Sequence, residues 1–342
     1  MTDPVRRMTI AAVILNYNYA RFLEEATASV MNQSEPFDEL LVVDDGSTDD
    51  SLAVLQTLRI RVLSKNNGGQ LSAALAGARA VTADFVYFLD ADDIAAPQLV
   101  QTIRPRLADS VAKLQFPLRS VDGALQPTGS VFPSLVPEYD AGRMRRDNVL
   151  LGFYVCPPTS GNVYNRRLLV DLDPTCLDER DFIDGPVTMV MPYLGQVLSL
   201  TTPLASYRIH GANHSSWSRP DAAQLDHEST WFLSRWRQAR TLHPVADVRP
   251  ERSAYVTERR LMMAAMSGHR GSPRDLMRFA ADTARSGQSS RQRVVLCAWA
   301  VGLVVLPRGV RRSAVAARRS PGDRPSWRRI LRRVPRTGPA AP

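Results

Sequence analysis

The sequence predicts an α/β fold: a doubly wound, mostly parallel sheet carrying a helical C-terminal extension. Three observations lead there. Short apolar runs alternate with helix-period segments through the first 93 residues in the order βαβαβαβ, the signature of a parallel sheet. The run Phe85-Val86-Tyr87-Phe88-Leu89 is short, aromatic and β-branched, which suits a strand covered on both faces. Beyond residue 217 the strand-like runs stop and helix-period segments take over. The 342 residues are enough for one large domain with appendages or for two smaller ones.

The elements follow one another closely. Thr9 to Leu15 is the first strand, and it ends in Asn16-Tyr17-Asn18-Tyr19. Arg21 to Asn32 has helical spacing through Phe22, Ala26 and Val30, with Glu24 and Glu25 favouring its first turns. Phe37 to Val43 is the second strand and runs into Asp44-Asp45-Gly46-Ser47. Ser51 to Leu58 is a helix that Thr48 or Asp49 is placed to cap. Ile60 to Leu63 is a third strand, Asn66-Asn67-Gly68-Gly69 a turn, and Leu71 to Val81 an alanine-rich helix able to lie close on a sheet. Past Pro97, Gln98 to Leu107 reads as a helix and Val111 to Arg119 as one strand. Residues 120–150 read as a long connection, and Val197 to Leu200 as a late strand.

The fourth strand ends abruptly in Asp90, Asp92 and Asp93. Carboxylates crowded at a strand end repel one another, and a divalent cation such as Mg²⁺ or Mn²⁺ removes that penalty. The carboxyl edge of an open α/β sheet is also where ligands bind. A polar turn with helix-capping aspartates is the plainer alternative for these three residues.

Four linked segments, VILNYNYARFLEEATASVMNQ, ELLVVDDGSTDDS, NNGGQLSAALAGARA and FVYFLDADD, resemble the N-terminal half of the inverting family 2 glycosyltransferases, which have the GT-A fold. The resemblance covers residues 9–93 and implies a nucleotide-sugar donor and a divalent metal, Mn²⁺ or Mg²⁺. It implies that Asn16 and Tyr17 border the nucleotide, Tyr17 stacking on the base, and that Asp44 or Asp45 bonds the base or ribose. In the DxD element it implies Asp92 as metal ligand and Asp90 as a sugar or ribose contact, with Asp93 either supporting them or capping the next helix. Asn16 stands where many relatives have Thr.

Two later segments extend the resemblance. Gly185-Pro186 marks a helix start, with Pro at its favoured first position, so Asp184 sits just outside the positive end of that helix. Relatives carry Glu-Asp here, the Asp acting as base, 23 residues before a Tyr-Arg pair, and Asp184 lies 23 residues before Tyr207-Arg208. Ile183 replaces the usual Glu; Asp181 and Glu179 are the alternatives as base. In YRIHGANHS, Arg208 is expected near the diphosphate and His210 on the metal, with His214 structural. Ser160-Gly161-Asn162 is expected either at the acceptor pocket or simply at the start of a strand.

The three cysteines are far apart and odd in number, which argues for a reducing compartment. The N-terminus shows no secretory pattern. Net charge is +9, but residues 291–342 hold thirteen arginines and one acid, a net +12, leaving −3 for the rest. The sheet domain therefore has no nucleic-acid footprint, and no nucleic-acid partner is expected. Val294 to Leu306 would span about 20 Å as a helix, short of a ~30 Å hydrocarbon core. Beside eleven later arginines it reads as attachment to an anionic cytoplasmic membrane surface, or equally as a core helix before a basic tail.

The expected organisation is a glycosyltransferase domain over 1–216, divided into a nucleotide-binding half, 1–93, and an acceptor half, 94–216. A helical extension, 217–290, and the apolar and Arg-rich segment, 291–342, complete it. The expected activity is metal-dependent inverting sugar transfer to a saccharide or lipid-linked acceptor in cell-envelope polysaccharide or glycolipid synthesis. A sugar nucleotidyltransferase is the alternative enzyme, and a catalytically degenerate nucleotide-sugar-binding scaffold the alternative non-enzyme.

Overall fold

The computed structural model describes residues 6–137, 139–172, 177–178, 181–211, 221–245 and 247–319. The chain opens with β1 (Ile10–Asn16), α1 (Ala20–Met31), β2 (Glu39–Asp44), α2 (Ser51–Leu58), β3 (Val62–Ser64), α3 (Gln70–Ala80) and β4 (Phe85–Asp90). Next come β5 (Ile94–Ala95), α4 (Leu99–Ile103), β6 (Val111–Gln115), β7 (Leu118–Val121), β8 (Pro127–Phe132) and α5 (Ala141–Leu150). Then follow β9 (Asn162–Asn165), α6 (Arg166–Val170), α7 (Pro186–Leu194), β10 (Gln196–Ser199) and β11 (Ala205–Arg208). Helices close the chain: α8 (Ala222–Leu242), α9 (Ala254–Met266), α10 (Pro273–Arg285), α11 (Ser290–Val305) and α12 (Arg308–Arg319).

The main sheet has seven strands in the order β10-β6-β9-β4-β1-β2-β3. All pairs are parallel except those of β9, which runs against both β4 and β6. Both faces are covered, as the apolar runs require. From β1, Ala11, Val13 and Leu15 join one core with α3, α6 and α7, while Ile10, Ala12 and Ile14 join the other with α1 and α4. β4 divides the same way, Val86 and Phe88 against Phe85, Tyr87 and Leu89. Each fully buried Val, Leu, Ile or Phe among them contributes about 1.5–3 kcal/mol. Gly77 lets α3 lie directly on the sheet: a Cβ there would sit 2.5 Å from Val13 Cγ1.

Three expectations change. The strand expected over Val111–Arg119 is broken at Pro117, whose ring and missing N–H favour a break. β6 stays in the main sheet, and β7 enters a second, four-stranded sheet, β5-β11-β7-β8. The connection over 120–150 contains β8 and α5. The helix expected from Gln98 tightens into a 3₁₀ turn, Arg104–Arg106, at Pro105.

The chain divides into two compact units. One comprises residues 1–145, 154–211 and 235–246 and holds both sheets; the other comprises 146–153, 212–234 and 247–342. This division interleaves with the boundaries expected at 216 and 290. The second unit has its own core, in which Leu261, Phe279, Trp299, Leu303 and Val315 meet.

Candidate active site

Strand register brings three polar strand ends, two of them acidic, to one edge of the main sheet. Leu15 pairs with Asp90, and Asn16 with Asp44, so β1, β2 and β4 finish side by side. Asp90 is held from two directions. Its N–H donates to Ser160 Oγ at 3.1 Å, and its Oδ1 accepts Gln70 Nε2 at 2.7 Å. The same Gln70 amide donates to Thr159 Oγ1 at 2.9 Å, and its Oε1 accepts the Ile183 N–H at 3.1 Å. One glutamine thus ties the end of β4 to the turn carrying Asp184. Burial, then the charges of Asp92 and Asp184, push the Asp90 carboxyl up to about 8.

Asp92 Oδ2 lies 2.9 Å from His210 Nε2, joining the acidic turn to the end of β11. Phe22 and Tyr19 flank the imidazole at ring distances of 5.0 and 5.8 Å. Burial, then Asp92 and Asp90, push the Tyr19 hydroxyl up to about 12, which marks it as facing the same acids. Asp93 caps no helix. Its Oδ1 accepts the Arg208 N–H at 2.9 Å, and β5 follows it. Burial and the neighbouring acids hold its carboxyl well above the usual range.

The Arg208 side chain is only 2% exposed. It donates to the Asp92 carbonyl at 2.8 Å and the Gly123 carbonyl at 3.2 Å, pairs with Glu25, and lies over Phe22. A guanidinium so committed braces the acidic turn.

At the neighbouring strand ends, Asn16 Nδ2 donates to Asp44 Oδ1 at 2.8 Å and Ser47 Oγ at 3.1 Å. The other Asp44 oxygen accepts the Ser47 N–H at 3.1 Å. Asp45 turns to the 65–69 loop, accepting Lys65 Nζ and the Gly69 N–H, each at 2.7 Å. Both aspartates therefore shape their loops. Among the described residues the buried Asn16 Oδ1 has no hydrogen-bond partner, and Tyr17 is 44% exposed.

Asp184 stands just before α7, with Pro186 at that helix's first position as expected. Burial raises its carboxyl, Asp181 adds to this, and Arg235 and Lys113 oppose it. Asp181 is unsuited to be a base: both its oxygens lie 2.9 Å from Arg235 Nε, and one accepts the Phe182 N–H. Ile183 is fully buried in the core, so only its backbone serves the site. Ser160 reaches the acidic turn, while Asn162 Nδ2 closes the preceding turn on the Pro157 and Pro158 carbonyls. Glu179 and His214 lie outside the described residues.

Among the described residues, no group of three or more His, Cys, Asp and Glu side chains converges as a metal cage. The Asp92–His210 pair offers one carboxylate oxygen, which suits Mn²⁺ or Mg²⁺, and one imidazole nitrogen, a transition-metal ligand that favours Mn²⁺ of the two. Such cations usually complete their shells with water and substrate phosphates. Gln70, Tyr19 and Arg235 carried no sequence signal, because each acts through a partner distant in the chain.

Residues 11–169 match the family model described as Glycosyl transferase family 2. An uncharacterized glycosyltransferase of Nostoc sp. is 35% identical over 220 residues, 60% of this chain and 66% of the relative. An undecaprenyl-phosphate 4-deoxy-4-formamido-L-arabinose transferase of Sodalis glossinidius is 37% identical over 33% of this chain and 36% of its own. The chain thus spans slightly under two thirds of the first relative and about a third of the second. Among solved structures, S. aureus TarS 1-349 in complex with UDP-GlcNAc aligns over 91% of this chain and 92% of its own, at 16% identity and a TM-score of 0.48.

Proposed function

We propose, from the match of residues 11–169 to the model of glycosyl transferase family 2, that the chain transfers a sugar, with inversion, from a nucleotide-sugar donor to a hydroxyl acceptor with the help of a divalent cation. One observation carries the reading. Gln70 bonds both the Asp90 carboxylate and the N–H of Ile183, and so holds the end of β4 to the turn that carries Asp184, 94 positions away in the sequence.

The residues divide the work as follows. Asn16 Oδ1, a buried acceptor without a partner among the described residues, takes an N–H of the donor base, and Tyr17 stacks on that base. Asp44 and Asp45 hold the loops that frame the base. Asp90 receives a sugar or ribose hydroxyl. Asp92 and His210 would hold the cation, which supplies Lewis-acid neutralisation of the departing diphosphate's charge. Asp93 and Arg208 keep the acidic turn in place. Asp184 removes the acceptor hydroxyl's proton as it attacks; a carboxyl raised by burial is a stronger base than a free one.

The test is to incubate the intact protein with a panel of nucleotide sugars and Mn²⁺ and identify the product. Release of a nucleoside diphosphate supports the transferase. With pyrophosphate added, formation of a nucleoside triphosphate and a sugar 1-phosphate would favour a nucleotidyltransferase, and no cleavage in either assay a binding scaffold.

The acceptor is proposed to be a saccharide or a lipid-linked group in envelope polysaccharide or glycolipid synthesis, met at an anionic membrane surface. Among the described residues no helix is long and apolar enough to cross a membrane. Exposed Val294, Ala298, Val301 and Val305 instead line one face of α11 at spacings of four, three and four, with exposed Arg291 and Arg308 near its ends. Arg311, Arg312 and Arg318 do not contribute, since they bond the Gly268, His269 and Met266 carbonyls and Glu258. The arginines from Arg324 on lie outside the described residues.

A further inference from the structure

Lys113 is fully buried in the middle of β6, between β9 and β10. A lysine there is costly unless its charge is used. The pairing of β6 with β10 slips at this point: Gln196 opposes Val111 and Val197 opposes Lys113, leaving Ala112 as an extra residue. Such a bulge re-aims a side chain. Val111 and Leu114 serve the core on the α1 face, while Lys113 turns, with Ala112, to the α7 face.

On that face the ammonium donates to Gln115 Oε1 at 3.0 Å, Tyr154 Oη at 3.1 Å and Cys156 Sγ at 3.1 Å. It also lies 5.1 and 5.7 Å from the Tyr154 and Tyr164 ring centres. Among the described residues no carboxylate pairs with it directly. The network continues to the turn that carries Asp184. Tyr154 Oη donates to the Thr188 carbonyl at 3.0 Å, Tyr164 Oη shares a hydrogen bond of 2.9 Å with Thr188 Oγ1, and Thr188 Oγ1 donates to the Ile183 carbonyl at 3.3 Å. Thr188 lies in the first turn of α7 and Ile183 immediately precedes Asp184.

We propose that Lys113 is a positioning residue for Asp184: relayed through Tyr154 and Thr188, its buried ammonium fixes the turn that presents Asp184 and supplies positive charge against which that carboxyl ionises. The inference rests on Asp184 being the base. The other groups facing Asp184 are Arg235 of α8, Asp181 of its own turn, Asp90 at the end of β4, Cys156, and Tyr164 of β9. Arg235, which also pairs with Asp181, is the larger positive charge on Asp184, and Lys113 adds a second one from the sheet side.

The experiment is carbon-13 NMR of the full chain labelled at aspartate Cγ. Asp184 is assigned by the signal lost in Asp184→Asn, and its titration is followed in wild type, Lys113→Met and Tyr154→Phe. Lys113→Met should move the midpoint upward by about one pH unit, the size of one ordinary charge interaction in a partly shielded interior. Tyr154→Phe, which keeps the charge but cuts the relay, should leave the midpoint within a few tenths while broadening the signal. An unchanged midpoint in folded Lys113→Met overturns the proposal. If Lys113→Met does not fold, an unbroadened signal in Tyr154→Phe does so instead. Because the titration needs no substrate, it separates this inference from the one above. Full turnover in Asp184→Asn would reject the base assignment whatever the titration shows.

Discussion

A carboxyl group removed from water resists ionising unless a cation or donor is brought to it, and Asp184 and the Asp90–Asp93 turn are built on that tension. Burial raises the Asp184 carboxyl from its ordinary value. Its basic form therefore accumulates only as pH rises through that higher value, and turnover should climb with pH along an acid limb above about pH 4. A pH–rate profile already flat from pH 4 upward would count against it. For Asp92, replacement by Ala should remove Mn²⁺-dependent donor binding in calorimetry, while unchanged binding would take it out of the cation's shell. The strand ends were readable in the sequence because each apolar run stops at a polar cluster, at Asn16, Asp44 or Asp90. Arg208 was expected near the diphosphate, and a guanidinium beside an acidic site serves equally well facing a phosphate or bracing the turn. Its burial and its bonds to Asp92 and Glu25 show the bracing.

Among the elements, the parallel strands were legible because a strand covered on both faces must be apolar throughout, as β1 and β4 are. The second sheet was not. β8 is exposed along nearly its whole length and carries no apolar period, so only its pairing with β7 defines it. The start of α7 was readable from Gly185-Pro186, and that helix start is what positions Asp184. The contact of α3 with the sheet depends on a missing side chain. Gly77→Val should destabilise by about 2–3 kcal/mol through overpacking against Val13 and Val43, measured by urea unfolding. A midpoint equal to wild type would show that α3 does not lie so close.

The chain as folded gathers segments near residues 16, 44, 90, 184 and 210 into the unit that holds both sheets, with the helical unit described separately. The apolar face of α11 belongs to the second unit, and its proposed role there is testable. Val301→Asp with Val305→Asp should reduce co-sedimentation with anionic vesicles about tenfold or more, as expected when two apolar contacts become charges at a lipid surface. Equal sedimentation would remove the membrane from the account. The proposal of sugar transfer stands or falls with Asp184. With a nucleotide sugar that the intact protein cleaves in the presence of Mn²⁺, turnover to an acceptor should drop by about 10²–10⁴ in Asp184→Asn, while calorimetric affinity for the donor stays within twofold. Turnover equal to wild type in that variant would contradict the assignment of the base and the convergence on which it rests.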